Sequence, residues 1–215
     1  MQKHKIVILI PCFNEEKTII NICKRAKKFG HVFVVDDKSR DNSKKLLKKE
    51  KIDFKQNKIN LGYERSLIEG FKFIIKKFKR VKYILTLDAD GELPVDNIPK
   101  ILNTVKKKDF DLVIGKRKSL NRLSENLLDL IFRLKFGYKD PVSGFKLYKI
   151  ASLKKIVNKI SNSMFLVDVP VIFLKLNLRV TNINISTTKR IDSPRVGNSL
   201  KSNLKILRIV YKILH

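Results

Sequence analysis

The stretch Lys82-Tyr83-Ile84-Leu85-Thr86-Leu87-Asp88-Ala89-Asp90-Gly91-Glu92 decides how this chain is read. A short and almost unbroken apolar run is what a strand covered on both faces shows. Here it stops at two acids spaced two positions apart. Residues i and i+2 of an extended segment project to the same side, so Asp88 and Asp90 can address one ion. The same grammar repeats outward. Residues 5–10 and 31–35 read as buried strands, 52–56 as a weaker one and 110–114 as the next after 82–87. Between them, residues 18–29 set Ile19, Ile22, Cys23 and Ala26 on one face. Residues 63–78 repeat Leu67, Ile68, Phe71, Ile74, Ile75 and Phe78 at a helical period. Strands alternating with helices predict an α/β fold, a mostly parallel central sheet flanked by helices.

The second half is less regular. Residues 123–136 read as a helix and 138–144 as a loop broken by Asp140-Pro141 and Gly144. A strand at 145–148, a helix at 169–176 with Pro170 in its first turn, and a strand at 179–186 follow. Residues 189–198 contain Pro194 and Gly197 and read as a loop. The pattern divides into one domain over 1–199 and a terminal segment over 200–215. In that segment Leu204, Leu207, Val210 and Leu214 alternate with Lys201, Lys205, Arg208 and Lys212, as in a basic amphipathic helix.

Composition narrows the class. The 215 residues suit one sizeable core, and no apolar run reaches the roughly 18 residues a membrane span needs. Cys12 and Cys23 are too few for a disulfide scaffold and fit reduced thiols in a cytoplasmic compartment. The charge is extreme: 48 Lys+Arg against 20 Asp+Glu, net +28, which draws polyanions. A nucleic-acid-binding module is one reading of that charge. It asks for exposed aromatics among the basic residues, whereas most phenylalanines here occupy core positions, so no nucleic-acid partner is expected.

In an open parallel sheet, ligands bind beyond the carboxyl ends of the strands. The segments found there are Pro11-Cys-Phe-Asn14-Glu15, Asp36-Asp37-Lys38-Ser39, Asn60-Leu-Gly62, Asp88-Ala-Asp90-Gly-Glu92 and Gly115-Lys-Arg117. Acids crowd this one edge although like charges repel. A hard divalent cation such as Mg2+ or Mn2+ resolves that, since it takes one or two carboxylates and completes its shell with water and substrate phosphate. Asp36 and Asp37 suit a ribose or base; they also suit the first turn of a helix near Ser43. Arg117 suits a diphosphate or a plain surface site. Asn60-x-Gly62 is equally a turn.

Taken in order, Ile-Pro-Cys-Phe-Asn-Glu, Val-Val-Asp-Asp-Lys-Ser-Arg-Asp, Asn-Leu-Gly, Leu-Asp-Ala-Asp-Gly-Glu-Leu-Pro, Asp-Leu-Val-Ile-Gly-Lys-Arg and Asp-Pro-Val-Ser-Gly-Phe resemble glycosyltransferase family 2. Within the family they most resemble the dolichol-phosphate (polyprenyl-phosphate) mannosyltransferase branch. The resemblance covers about residues 6–200. It implies the GT-A fold, a GDP- or UDP-linked sugar donor, Mg2+ or Mn2+, and inversion at the anomeric carbon. By the same resemblance Pro11, Asn14, Glu15, Asp36, Asp37, Asn60, Gly62, Asp88, Ala89 and Arg117 serve the nucleotide sugar. Asp88, Asp90 and Glu92 serve the metal, while Ser143, Gly144, Phe145, Arg195 and Ser199 serve a lipid-linked or glycan acceptor. Lys38 stands where the family usually has glycine, and Leu200 where this branch commonly has lysine.

The chemistry so implied is an in-line displacement in which Asp90 and Arg117 support the leaving diphosphate. A phosphate acceptor is already ionised; a hydroxyl acceptor needs a base. Asp168 fits that task or a helix N-cap equally. A basic amphipathic segment implies a peripheral location on the anionic cytoplasmic membrane face. The enzymatic rival is a nucleotidyltransferase making a nucleotide sugar, which usually needs a glycine- and lysine-rich loop after the first strand; Pro-Cys-Phe-Asn-Glu is not one.

Overall fold

The computed structural model describes residues 5–120, 123–157 and 165–188. β1 (Ile6–Cys12) is buried along its whole length, because it has a strand on each edge and helices over both faces. It runs parallel to β2 (His31–Asp36) on one side and to β4 (Tyr83–Thr86) on the other. β3 (Asp53–Gln56) continues the sheet beyond β2, also in parallel. On the far side, β6 (Lys146–Lys149) is antiparallel to both β4 and β5 (Leu112–Lys116). β7 (Val180–Asn184) pairs parallel with β5. The order among the described residues is β3-β2-β1-β4-β6-β5-β7. The mostly parallel sheet expected from the sequence therefore carries one antiparallel strand.

The alternation of a strand splits β1 between two cores. Ile6, Ile8, Ile10 and Cys12 face Ile19, Ile22 and Cys23 of α1 (Ile19–Ala26), Leu47 of α2 (Ser43–Lys49), and Ile98 and Ile101 of α4 (Ile98–Lys107). Val7 and Leu9 face Leu67, Phe71 and Ile74 of α3 (Tyr63–Lys77), and Phe165 and Phe173 of α7 (Phe165–Lys175). α3 lies close to the sheet at Gly70, where a Cβ would sit 2.5 Å from Leu9 Cδ1. Both cysteines are buried free thiols.

Two helices differ from the sequence reading. α4 forms over residues to which that reading assigns no element. α7 begins at Phe165, ahead of the expected 169–176, so Asp168 lies within the first turn rather than at the cap, and Pro170 lies inside the helix. Phe165, Val169 and Phe173 recur every fourth residue and are all buried; their packing carries the helix across a residue that usually ends one. α5 (Leu123–Phe136) stands as expected, and the short α6 (Ile150–Lys154) follows β6. Arg195, Ser199, the expected loop at 189–198 and the segment over 200–215 lie outside the described residues.

Candidate active site

The loops after β1 and β2 are stitched together. Asn14, held at a left-handed φ of 55°, donates its N–H to Ser39 Oγ at 2.9 Å and accepts the Arg40 N–H on Oδ1 at 2.7 Å. Glu15 N–H reaches Ser43 Oγ at 2.9 Å, and Glu16 N–H reaches Asp41 Oδ2 at 3.0 Å. A cavity of about 400 Å³ opens at this seam, lined by Asn14, Glu16, Lys17, Arg40 and Asp41. Of the residues expected to meet the donor, Asn14 is on that lining. Pro11 is buried within β1, and Glu15 is buried beneath the loop.

Asp36 and Asp37 hold the loops at the ends of β2 and β3. Both are buried. Asp36 accepts from the Ser39 N–H at 3.2 Å and from Gln56 Nε2 at 2.6 Å. Asp37 accepts from the Leu61 N–H and Asn57 Nδ2 on one oxygen, each at 2.8 Å, and from the Gly62 N–H on the other at 2.7 Å. Asn60 adds a bond from Nδ2 to the Asp37 carbonyl at 3.2 Å. Asp37 thus shapes residues 57–62 and delivers the start of α3 to the sheet edge. That places Tyr63, a residue the sequence reading did not select, beside the acid pair.

Tyr63 donates its hydroxyl to Asp88 Oδ1 at 2.6 Å. On another side Gly144 packs directly against the Asp88 carboxylate, where a Cβ would stand 2.5 Å from Oδ1. Thr86 fixes this glycine by donating to its carbonyl at 2.6 Å. Thr18 ties the β1 loop to the same place, donating to the Ala89 carbonyl at 2.6 Å. Burial and the neighbouring Asp90 charge push the Asp88 carboxyl up to about 7, with Glu92 adding to them. The Tyr63 hydrogen bond and the Arg117 charge oppose that rise. A buried carboxyl pressed by a second acid two residues on suits a cation.

Glu92 does not complete a third ligand. Among the described residues no group of three or more His, Cys, Asp or Glu side chains could hold a metal ion. Gly91, at φ 80°, turns the chain here; the Glu92 N–H then caps Asp90 Oδ1 at 2.9 Å, and its carbonyl accepts from Thr188 N–H at 3.0 Å.

Arg117 is engaged with protein carboxylates. Its Nε and Nη2 grip Asp140 as a two-pronged fork, each at 2.9 Å, while its backbone N–H reaches the same carboxylate at 3.0 Å. Nη2 also meets Glu125 Oε2 at 3.3 Å. The guanidinium, expected at a diphosphate, holds Asp140, whose own φ is 51°, and its charge acts on Asp88. On the acceptor side, Ser143 and Phe145 are fully buried. Ser143 Oγ accepts the Phe145 N–H at 3.2 Å, and the Phe145 side chain belongs to the core. Of the three residues expected on the acceptor side, Gly144 lies against the Asp88 carboxylate. Asp168 is partly exposed on the first turn of α7. That turn approaches the site, since the Phe165 N–H donates to Glu64 Oε2, beside Tyr63, at 2.8 Å.

Against known proteins, the family model described as glycosyl transferase family 2 matches residues 7–157. An uncharacterized protein of Methanocaldococcus jannaschii is 29% identical, over 96% of this chain and 91% of its own. A dolichyl-phosphate beta-glucosyltransferase of Dictyostelium discoideum is 23% identical, over 96% of this chain and 74% of its own. Among solved structures, glucosyl-3-phosphoglycerate synthase from Mycobacterium tuberculosis, in complex with Mn2+ and UDP-glucose, superposes with a TM-score of 0.73. It shares 13% identity, over 98% of this chain and 78% of that one. This last likeness is one of fold.

Proposed function

Because the chain belongs to glycosyltransferase family 2, we propose that it moves a sugar, with inversion, from a nucleoside-diphosphate donor to a polyprenyl-phosphate or glycan acceptor. The observation that carries this reading is the pressed pair Asp88 and Asp90 at the exit of β4, with Tyr63 and Gly144 fixing the first of them. The pair fits one Mg2+ or Mn2+ ion, which takes one or two carboxylates and leaves positions for donor phosphate. When bound, such an ion supplies positive charge to the diphosphate as it leaves.

The remaining work falls to side chains. An acceptor oxygen forms a bond to the anomeric carbon as the bond to the diphosphate breaks, and that electron pair departs with the nucleoside diphosphate. A phosphate acceptor brings its own negative charge. For a hydroxyl acceptor, Asp168 is the candidate to take the proton. Asn14 and the cavity beside it are assigned to the nucleotide, with the bonds from Asn14 to Ser39 and Arg40 shaping its wall. Arg117 acts at one remove, as the cation that keeps Asp140 in place and offsets the acids around Asp88.

A membrane-bound acceptor draws support from α5. Leu123 and Leu134 are 90% and 76% exposed, and Leu127 and Leu130 each 41%, all on one face at spacings of four, three and four. Arg133 and Lys135 flank them near the helix end. An apolar stripe edged by cations suits the surface of an anionic leaflet, so the protein is assigned to the cytoplasmic membrane face. Among the described residues no helix is long and apolar enough to cross a membrane.

The test is a panel of GDP- and UDP-linked sugars with polyprenyl phosphate or a glycan primer, with Mg2+ or Mn2+ present. Turnover that falls at least about a hundredfold in Asp88→Asn and Asp90→Asn is expected. No turnover and no thermal stabilisation with any donor overturns the reading. Co-sedimentation with vesicles, lost when Leu127 and Leu130 become serine, checks the membrane contact.

A further inference from the structure

Lys146 is the one fully buried lysine among the described residues. It sits on β6 with no exposure to solvent, where a lysine is rare unless its head group is satisfied. Its Nζ donates to the Pro141 carbonyl at 2.6 Å and to the Leu166 carbonyl at 2.9 Å. Burial drives the ammonium down to about 7, against the nearby Asp140 and Glu64 charges. Charged or neutral, it keeps at least two N–H donors for those two carbonyls.

The identity of the second acceptor explains the lysine. In an α-helix the carbonyl of residue i accepts from the amide of residue i+4. For Leu166 that amide belongs to residue 170, which is proline and has none; the proline ring also crowds the same carbonyl. Lys146 fills the gap from the neighbouring sheet. The first acceptor is as telling. Pro141 follows Asp140, the residue gripped by Arg117, and begins the loop that ends with Gly144 on Asp88. One nitrogen therefore joins the helix that bears Asp168 to the loop that covers the acid pair.

We infer that Lys146 is a positioning residue for sugar transfer: by supplying the donor missing at Pro170, it fixes α7 and Asp168 relative to the 140–144 loop over Asp88. The inference rests on the transferase reading above. It also explains why α7 runs through Pro170 without losing its first turn.

Compensation gives the test. Lys146→Met keeps side-chain length and removes both donors; exchanging a buried charge for an apolar side chain is often tolerated by the fold. Pro170→Ala returns an amide to residue 170, so the double variant restores a partner to the Leu166 carbonyl. For Lys146→Met, kcat for transfer should fall about tenfold or more while the donor KM stays within about threefold, as a misplaced acceptor side predicts. Adding Pro170→Ala should not recover that loss, because the link to the Pro141 carbonyl stays broken, and Pro170→Ala alone should leave kcat near wild type. Amide hydrogen exchange supplies a readout that needs no substrate. Residues 165–169 should exchange faster in Lys146→Met and slow again in the double variant.

A Lys146→Met enzyme with wild-type kcat overturns the inference. So does a double variant in which residues 165–169 exchange as fast as in the single one. If the wild type turns over no donor while exchange responds as expected, the transferase reading fails and the structural link stands.

Discussion

Gly144 lies against the Asp88 carboxylate so closely that any side chain there would overlap its oxygens. The contact joins residues 56 positions apart and is set by β6 running antiparallel beside β4. Gly144→Ala should therefore displace the Asp88 side chain without disturbing the sheet. The expected outcome is a loss of Mn2+ or Mg2+ binding of at least about tenfold by titration calorimetry, with a circular dichroism spectrum like that of wild type. Unchanged metal affinity would show that Asp88 binds nothing on that side.

Tyr63 holds the same carboxylate from the other direction. A hydrogen bond to a charged group contributes about 1.5–3 kcal/mol. Tyr63→Phe should lower metal-dependent turnover roughly ten- to hundredfold, more through kcat than through donor KM, since the phenyl ring still fills the space. A variant as active as wild type would remove Tyr63 from the site.

The Asp88 carboxyl titrates at about 7 in the metal-free fold, above the roughly 3.9 of an unfolded chain. The folded state thus holds this proton more tightly than the unfolded one, so stability declines as pH rises from about 4 to about 7 and is then flat. Asp88→Asn cannot ionise. Without metal, its melting temperature should match wild type near pH 4 and exceed it above pH 7. Adding Mn2+ should raise wild type only. Parallel pH curves for the two proteins would contradict this account.

Lys38 has a left-handed φ of 64°. That conformation costs a residue with a Cβ about 1–2 kcal/mol, part of which glycine's extra freedom in the unfolded chain offsets. Lys38→Gly should stabilise the protein by up to about 1 kcal/mol in urea unfolding. No change, or a loss, would mean that the lysine makes a contact worth as much as the strain.

The alternation of strands with helices, the two-sided burial of β1 and the edge where polar residues gather were all legible in the sequence, whereas the order of the strands was not. Each of those three follows from local spacing: period two in a strand, period 3.6 in a helix, and a break where the apolar run ends. Asp88 and Asp90 were found on the same ground, because both stand next to a strand whose end is fixed by its own residues. Spacing does not report the partner a side chain will meet. Arg117 looked like a ligand for phosphate, and only the fold brings it Asp140, 23 residues away. Asp36 and Asp37 looked exposed at a strand exit until residues 56–62 came to cover them. Lys146 lies in an ordinary short strand motif, and Pro170 seemed to open a helix rather than sit inside one. Their connection through the Leu166 carbonyl exists only once β6 and α7 pack together. Local propensities and strand patterns depend on near neighbours and can be read along the chain. Hydrogen bonds among buried polar groups join residues far apart in sequence, and it was the packing of the sheet with its helices that settled them.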